Sequence, residues 1–379
     1  MEASCLNPGA NGPVDAFVVD TPLQLLNALE ARDRFQIAGP ELLILLWPGW
    51  RRETFAAVSQ RQNWRRTRYF RMFPAKGWEV ALANSTVSFL QTFWRWLLRF
   101  RFERALRPLR GARRLFVGNY RNHYMRHGAA VVGASELVLL DDGTDSLVFA
   151  RELRQLETNP ESPPPARKFR LRSWMRQRYI DWNETVAPRL TFFSSYALQL
   201  RTSDTLIRHR YELLRRSYSS ARAGTEIFLL GQPLVADGYC SDSDYFEYLR
   251  AVRAHYGDQP IVYIPHPRET DVAAREAADA LGGRLQRLKI PVELHLLTSD
   301  ARPARLAGFF CSALDNCRQL FGDTIVVDAF VFESAHLRCS HDSVAEVYRY
   351  LDSAGVHVHH VRSPQPARAS PVAVLEGTQ

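Results

Sequence analysis

Short, fully apolar runs recur along the chain, and most of them are followed by a segment with helical periodicity. Such runs, bounded by turn signals, are typical of strands buried on both faces. Strands that alternate with helices predict parallel, doubly wound sheets and therefore an α/β fold. The main strands predicted on this basis cover residues 16–19, 42–46, 114–120, 137–140, 227–230, 261–264, 291–297, 307–310 and 324–327.

The chain has 379 residues, which is more than one hydrophobic core ordinarily holds, so two domains are expected. Residues 1–14 are polar and rich in glycine, proline and asparagine, and predict a flexible tail. We predict an N-terminal α/β domain over 15–220, ending in a polar, basic helix at about 202–218, and a C-terminal α/β domain over 225–379. Two such Rossmann-like domains are expected to face a central crevice.

A histidine and an arginine follow the predicted strand at 261–264. Pro267 cannot continue a sheet ladder, and Thr270 suits the N-cap of the next helix. His266 and Arg268 are therefore expected between the carboxyl end of a strand and a helix N-terminus. Open α/β sheets bind ligands there, and the helix N-terminus favours an anion. The alternative is an ordinary hydrogen-bonded loop.

Two aspartates, Asp141 and Asp142, follow the predicted strand at 137–140, and Gly143 allows a turn after them. Because they lie at the carboxyl end of a strand, they are candidates for the same ligand-binding edge. A polar turn that caps the next helix is the alternative. The spacing does not match the D-x-D pattern of metal-dependent sugar transferases, so no metal is predicted.

The C-terminal domain holds further candidates at the ends of two strands. Gly231 and Gln232 follow the strand at 227–230, and Asp237 comes shortly after them, either as a base or in a plain Asp-Gly turn. Ser312 follows the strand at 307–310 and offers donors suited to a phosphate. Cys311 is interpreted as an inert buried thiol, because no base is adjacent.

Three histidines, His357, His359 and His360, lie near the C-terminus. We interpret them as part of a terminal strand and not as a metal cluster, because no carboxylate or cysteine has matching spacing. The five cysteines are odd in number and form no C-x-x-C pair, which indicates reduced thiols in a cytosol-like compartment. No signal peptide and no apolar run of about 18 residues is found. A cytoplasmic location, or attachment to the inner face of the cytoplasmic membrane, is expected.

The net charge of +9 is concentrated locally, above all in residues 94–114, WRWLLRFRFERALRPLRGARR. In a helix, Trp94, Leu97, Leu98 and Phe102 fall near one face, and the remainder carries Arg95, Arg99, Arg101 and Arg104. Basic, aromatic-rich helices bind anionic membrane surfaces. Packing of the aromatic side chains in the core, with solvated arginines, is the alternative. No nucleic-acid-binding motif is present, so nucleic acid is not an expected partner.

Four of these motifs, taken in order, resemble the bacterial lipooligosaccharide sialyltransferases, glycosyltransferase family 52. They are Asp-Asp-Gly-Thr after a strand, Leu-Leu-Gly-x-Pro, Pro-His-Pro-Arg before a Thr-capped helix, and Gly-Phe-Phe followed by Cys-Ser-Ala-Leu. The resemblance spans about Phe17 to Leu337, and the acidic-Asp-Gly and His-Pro motifs are shared with bacterial polysialyltransferases. It implies a GT-B fold, a CMP-sialic acid donor, inversion at the anomeric carbon, no cofactor and no metal.

The resemblance also implies roles for individual residues. His266 matches the histidine that donates to the leaving phosphate, and Ser312 matches the position that binds the CMP phosphate. The base of the family follows Leu-Gly-x-Pro, where Asp237 is the nearest aspartate, with Asp141 and Asp142 as alternatives. The donor nucleotide is further expected to contact Gly231, Gln232, Arg268 and, through its cytosine or ribose, Glu293.

The expected function is transfer of sialic acid to a terminal galactose of a cell-surface glycan such as lipooligosaccharide. Transfer of another CMP-activated acid, such as Kdo, or of polysialic acid is the alternative within enzymes. A peripheral membrane protein that binds a glycolipid without turning it over is the alternative outside them. A homodimer is left open.

Overall fold

A computed structural model describes residues 14–47, 52–59, 63–74, 77–84, 88–143, 145–158, 182, 186–217, 222–339 and 341–361. The predicted tail, apart from Val14, lies outside these residues. The chain divides into two compact units, Met1–Ser217 and Tyr218–Gln379. Each unit contains its own parallel sheet, so the predicted α/β class with two doubly wound sheets is confirmed.

The first unit is built on seven parallel strands in the order β3-β2-β1-β4-β5-β6-β7. Strands β1 and β2 are buried along their whole length, as expected when helices cover both faces of a sheet. Their bounds are β1 (Ala16–Val19), β2 (Glu41–Leu46), β3 (Arg66–Arg71), β4 (Arg114–Val117), β5 (Glu136–Leu140), β6 (Thr191–Ser194) and β7 (Thr205–Arg208).

Helices connect these strands, and local sequence sets several of their ends. Thr21 caps the first helix by accepting a hydrogen bond from the Gln24 amide, and Pro22 occupies its first turn. Gly133 ends the helix His123–Val132, and its backbone adopts the left-handed conformation that glycine allows. The bounds are α1 (Pro22–Arg34), α2 (Arg52–Ser59), α3 (Gly77–Ala83), α4 (Ser88–Leu106), α5 (His123–Val132), α6 (Asp145–Thr158) and α7 (Glu212–Ser217), with a 3₁₀ turn at Arg107–Leu109.

The second unit also contains a parallel sheet, with six strands in the order β11-β10-β9-β13-β14-β15. A separate two-stranded ribbon pairs β8 with β12. The bounds are β8 (Arg222–Ala223), β9 (Ile227–Leu230), β10 (Ile261–Ile264), β11 (Arg284–Leu285), β12 (Ala301–Arg302), β13 (Arg305–Gly308), β14 (Val326–Phe330) and β15 (His357–His359). The histidines at 357 and 359 lie in a terminal strand, as the sequence predicts.

The helices of this unit follow the same rules. Thr270 accepts a hydrogen bond from the Ala273 amide and so caps the helix that begins at Asp271, as predicted. The bounds are α8 (Asp242–Tyr256), α9 (Asp271–Ala280), α10 (Val292–Thr298), α11 (Ser312–Phe321) and α12 (His341–Ser353), with 3₁₀ turns at Gly322–Thr324 and Ser334–His336.

Two predicted elements are wrong. Residues 291–297, predicted as a strand, form helix α10, which starts after Pro291 and buries Val292, Leu294 and Leu297. A short run with apolar residues on either side of a charge fits the periodicity of a strand and that of a helix equally well. In the structure, the helical form buries the apolar side chains. The predicted helix at 202–218 is divided into strand β7 and the short helix α7, because β7 completes the edge of the sheet beside β6.

Candidate functional site

In each unit the strand order reverses at one place, between β1 and β4 in the first and between β9 and β13 in the second. Ligands of open α/β sheets bind at the carboxyl ends of strands at such a reversal. Asp20 follows β1 and Asn119 lies two residues after β4. In the second unit, Gln232 lies two residues after β9, and the loop after β13 leads to Ser312. The candidate residues of each unit are described separately below.

In the first unit, two carboxylates, those of Asp20 and Asp142, lie at the reversal. Asn119 Nδ2 donates to Asp142 Oδ2 over 2.7 Å, and Trp47 Nε1 donates to Asp20 Oδ2 over 3.1 Å. Burial raises the pKa of Asp142 to about 6, and the nearby charge of Asp20 adds to the increase, while the Gln24 and Asn119 amides oppose it. Burial also raises the pKa of Asp20. Asp142 is therefore a carboxylate whose proton affinity suits a general base.

A glutamine with an unused donor completes this cluster. The Gln24 side chain is fully buried, and its Oε1 accepts a hydrogen bond from the Asp20 amide over 2.9 Å. Its Nε2 is close enough to lower the pKa of Asp142, yet it makes no regular hydrogen bond to any described residue. Gly118 leaves room for the Gln24 side chain, since a Cβ at position 118 would lie 1.7 Å from Gln24 Oε1. A buried donor without a regular partner is costly, and the nearby Asp142 carboxylate partly offsets that cost here.

Asp141 has a different surrounding from its neighbour. Its side chain is 2% exposed, and its Oδ2 accepts hydrogen bonds from the Ser195 amide over 2.6 Å and the Ser195 hydroxyl over 3.0 Å. Its backbone oxygen accepts from Asn27 Nδ2. These contacts tie β5 to the loop after β6 and to α1. Of the two predicted aspartates, Asp141 is thus held in the interior, and Asp142 is the one beside Asp20.

In the second unit, the loop after β10 presents the predicted histidine. The Arg268 amide donates to His266 Nδ1 over 3.2 Å, so Nδ1 is an acceptor and Nε2 carries the ring proton. Burial, and next the charge of Arg268, lower the pKa of His266. The imidazole is therefore neutral near pH 7 and offers an Nε2–H donor, not an imidazolium.

Glu269 fixes the shape of this loop. It accepts hydrogen bonds from the His266 amide and, over 2.6 Å, from the Tyr263 hydroxyl. Gly231 comes close to the same pair, because a Cβ there would lie 2.3 Å from the Tyr263 hydroxyl and 2.5 Å from Glu269 Oε2. The predicted Gly231 is thus needed for close packing against the histidine loop. Gln232 next to it accepts from the Phe310 amide over 3.2 Å, which links the loops after β9 and β13.

Asp237 joins Arg268 in a two-bond ion pair. Nη1 of Arg268 lies 2.7 Å from Asp237 Oδ1, and Nη2 lies 2.8 Å from Oδ2. The structure therefore brings together three predicted residues, Asp237, His266 and Arg268. Both oxygens of Asp237 are occupied by hydrogen bonds from the arginine, so neither is open to an acceptor hydroxyl while the pair persists.

The remaining predicted residues lie on α10 and α11. Ser312 begins α11, which has no side-chain cap, and a helix N-terminus favours an anion. Cys311 precedes it, and burial raises the pKa of its thiol to about 12, in agreement with an inert role. The Glu293 side chain is buried and accepts a hydrogen bond from Asn316 Nδ2 over 3.0 Å, and burial raises its pKa. Its predicted contact with the cytosine or ribose stays a prediction.

Sequence reasoning missed Asp20, Gln24, Asn119 and Glu269. Asp20 directly follows the first apolar run, so the rule that selected Asp141 and Asp142 would have found it. Gln24 and Glu269 carry no such signal, because their roles come from contacts across the sheet.

Helix α4 has two aromatic faces, and the sequence identified only one of them. Trp94, Leu98 and Phe102, which were candidates for membrane contact, are buried. This corrects that hypothesis, since these side chains form core. The opposite face exposes an aromatic stripe, defined as Phe89 (74% exposed), Phe93 (41%), Trp96 (37%) and Phe100 (43%). No helix of the described residues is long and apolar enough to cross a membrane.

The raised pKa of Asp142 predicts a pH-dependent stability. Its folded pKa of about 6 exceeds the usual 3.8, so its contribution is fully favourable below pH 4 and is lost as the pH rises through 6. The difference corresponds to about 3 kcal/mol at most. We expect Asp142→Asn to gain stability over the wild type between pH 4.5 and 7.5, measured by urea unfolding at several pH values. A constant difference between the two proteins across this range would contradict the shift.

Comparison with known proteins was made at the level of sequence and of structure. No family model matches the chain, and no curated protein matches it. Among solved structures, TcCGT1 in complex with UDP is similar with a TM-score of 0.52 at 12% identity, over 94% of this chain and 86% of that one. Arabidopsis thaliana UGT89C1 complexed with UDP-L-rhamnose gives a TM-score of 0.49 at 10% identity, over 93% and 86% of the two chains. The MurG of Acinetobacter baumannii gives 0.41 at 10% identity, over 92% and 86%. The chain has the GT-B fold.

Proposed function

We propose that this protein is an inverting glycosyltransferase that moves sialic acid from CMP-sialic acid to a terminal galactose of a cell-surface glycan. The observation that carries the proposal is the loop after β10, where a neutral His266 offers its Nε2–H beside Arg268. The GT-B fold supports nucleotide-sugar chemistry in general. The choice of CMP-sialic acid rests on the four sequence motifs.

On the donor side, the leaving group is a phosphate that departs with the electrons of the C2–O bond. A phosphate is a stable anion, so it needs hydrogen-bond donors more than a complete proton. We assign this role to the His266 Nε2–H, to the Arg268 guanidinium and to the N-terminus of α11, where Ser312 lies.

On the acceptor side, a base must take the proton of the attacking hydroxyl. We assign this role to Asp142, whose pKa of about 6 lies near physiological pH and so allows it to be ionised and still basic. The acceptor oxygen forms its bond to C2 on the face opposite the departing phosphate, which inverts the anomeric carbon. Asp237 is the weaker candidate, because Arg268 binds both of its oxygens.

Single variants test these assignments with CMP-sialic acid, a galactose-terminated acceptor and mass spectrometry of the product. His266→Ala and Asp142→Asn are each expected to lower turnover by about 10²–10⁴-fold, the usual range for a positioned acid or base. His360→Ala, at an exposed residue outside the candidate site, serves as the control. Near-normal turnover of His266→Ala would remove the histidine from the mechanism. A larger loss in Asp237→Asn than in Asp142→Asn would move the base to Asp237.

A donor panel in the same assay identifies the transferred acid. Turnover with CMP-Kdo but not with CMP-sialic acid would replace the substrate assignment and keep the transferase. Polysialylated products would point to chain extension. Binding of the acceptor without turnover of any CMP-activated acid would favour a non-catalytic glycolipid-binding protein.

Transfer is expected to need no divalent metal. The leaving group is a nucleoside monophosphate, whose charge the histidine, the arginine and the helix N-terminus can stabilise. Turnover should therefore be the same in EDTA and in magnesium or manganese. Loss of turnover in EDTA that magnesium or manganese restores would contradict this expectation.

We further propose that the protein binds anionic membrane surfaces through α4. Residues 88–110 contain six arginines and one glutamate, a net charge of +5. Three rings of the aromatic stripe stack in sequence, with centroids 5.7 Å apart from Phe93 to Trp96 and from Trp96 to Phe100. Aromatic side chains suit the interface of a bilayer, and each arginine near anionic lipid contributes about 1 kcal/mol. A lipid-linked acceptor would make such attachment useful.

Vesicle sedimentation tests this attachment. Replacing Phe89, Phe93, Trp96 and Phe100 by serine should weaken binding to vesicles of phosphatidylserine and phosphatidylcholine, and salt should weaken binding of the wild type. Leu156→Ser and Val272→Ser, at other exposed apolar residues, are the controls and should bind normally. Equal sedimentation with neutral and anionic vesicles, or none with either, would refute the attachment.

A further inference from the structure

Two histidines of β15 meet a buried aspartate of β14. His357 and His359 are two residues apart in the strand, so both side chains point to the same face of the sheet. The parallel register places His357 opposite Asp328 and His359 opposite Phe330. One ligand atom from each of His357, His359 and Asp328 lies within 4.8 Å of the other two. No carboxylate with matching spacing is visible in the sequence, because Asp328 is 29 residues before His357 and meets it only through strand pairing.

The separations between these atoms suit one metal ion. His359 Nε2 lies 2.9 Å and His357 Nδ1 lies 3.8 Å from Asp328 Oδ1. Two ligands of a tetrahedral zinc ion, at bond lengths near 2.0–2.2 Å, are about 3.4 Å apart, a value between the two observed distances. The two imidazole nitrogens lie within 4.8 Å of each other, so side-chain adjustments of up to about 1.4 Å complete the geometry.

The surroundings of Asp328 hold the carboxylate in place. Its side chain is fully buried, and its Oδ2 accepts hydrogen bonds from the Tyr256 hydroxyl over 2.7 Å and Arg305 Nε over 2.6 Å. Carboxylates that bind metals are usually oriented by such outer hydrogen bonds. Oδ1 faces the histidines and also accepts from Arg305 Nη2 over 2.9 Å. The arginine charge reduces the affinity of the site for a cation, so tight binding is not expected.

We propose that His357, His359 and Asp328 form a zinc site that ties the edge strand β15 to β14. Imidazole and carboxylate ligands suit zinc, and a water molecule fills the fourth position. On binding, zinc takes the place of the proton at His359 Nε2, and the neutral imidazole then carries its single ring proton on Nδ1. The His357 side chain is 61% exposed, which gives the ion a route to the site. The site has a structural role and is independent of the proposed transferase activity.

Binding of zinc to the full-length, untagged protein tests the site. In isothermal titration with zinc chloride at pH 7.5, we expect one ion to bind per chain with a dissociation constant in the micromolar range, and zinc to raise the unfolding temperature. His357→Ala and His359→Ala should each weaken binding at least tenfold and abolish the thermal shift. His360→Ala is the matched control, since it removes a neighbouring exposed histidine that is not part of the three-ligand group.

Each other outcome overturns the site. Absence of zinc binding to the wild type would refute it directly. Unchanged binding by His357→Ala would show that zinc binds elsewhere, and an equal loss in His360→Ala would show non-specific binding by surface histidines. Circular dichroism of each variant in EDTA verifies folding, and His357→Ala decides the question if His359→Ala unfolds, because His357 is mostly exposed. None of these readouts depends on turnover.

Discussion

The reversal of strand order at one point in each sheet is the constraint on which the candidate chemistry depends. Connections from the two strands at a reversal run to opposite faces, so the carboxyl edge between them is left open to ligands. Asp20 and Asn119 lie at the reversal of the first sheet, and Gln232 and Ser312 lie at that of the second. The polar groups are thus concentrated where a parallel sheet has space for them.

Burial then separates groups that look alike in the sequence. Asp141 and Asp142 are neighbours, yet the first satisfies buried donors of Ser195, and the second lies beside Asp20 with a raised pKa. Asp237, the third aspartate considered, is neutralised by Arg268. Desolvation without a neighbouring cation raises the pKa of a carboxylate, and this condition applies to Asp142 and to Asp20 beside it.

The sequence pattern was most informative where both faces of an element are buried. β1, β9 and β10 are fully buried, and their apolar runs were predicted to the residue. The edge strand β3 reads RTRYFR and β7 reads TLIR, and neither was predicted, because an edge strand half open to solvent carries polar residues and loses its apolar signal. The arginine-rich segment of α4 was interpreted as a helix, but periodicity alone could not tell which of its two aromatic faces is buried.

By itself, the sequence determined the α/β class, the strand ends that carry His266 and Ser312, and the Thr270 cap, because these features are encoded within a few residues of the chain. Only the tertiary structure decided that Asp20 meets Asp142, that Glu269 supports the His266 loop, and that Asp328 meets His357. It also decided which face of α4 is open. These outcomes depend on which strands pair and which helix covers which face, and local periodicity carries no information about partners so distant along the chain.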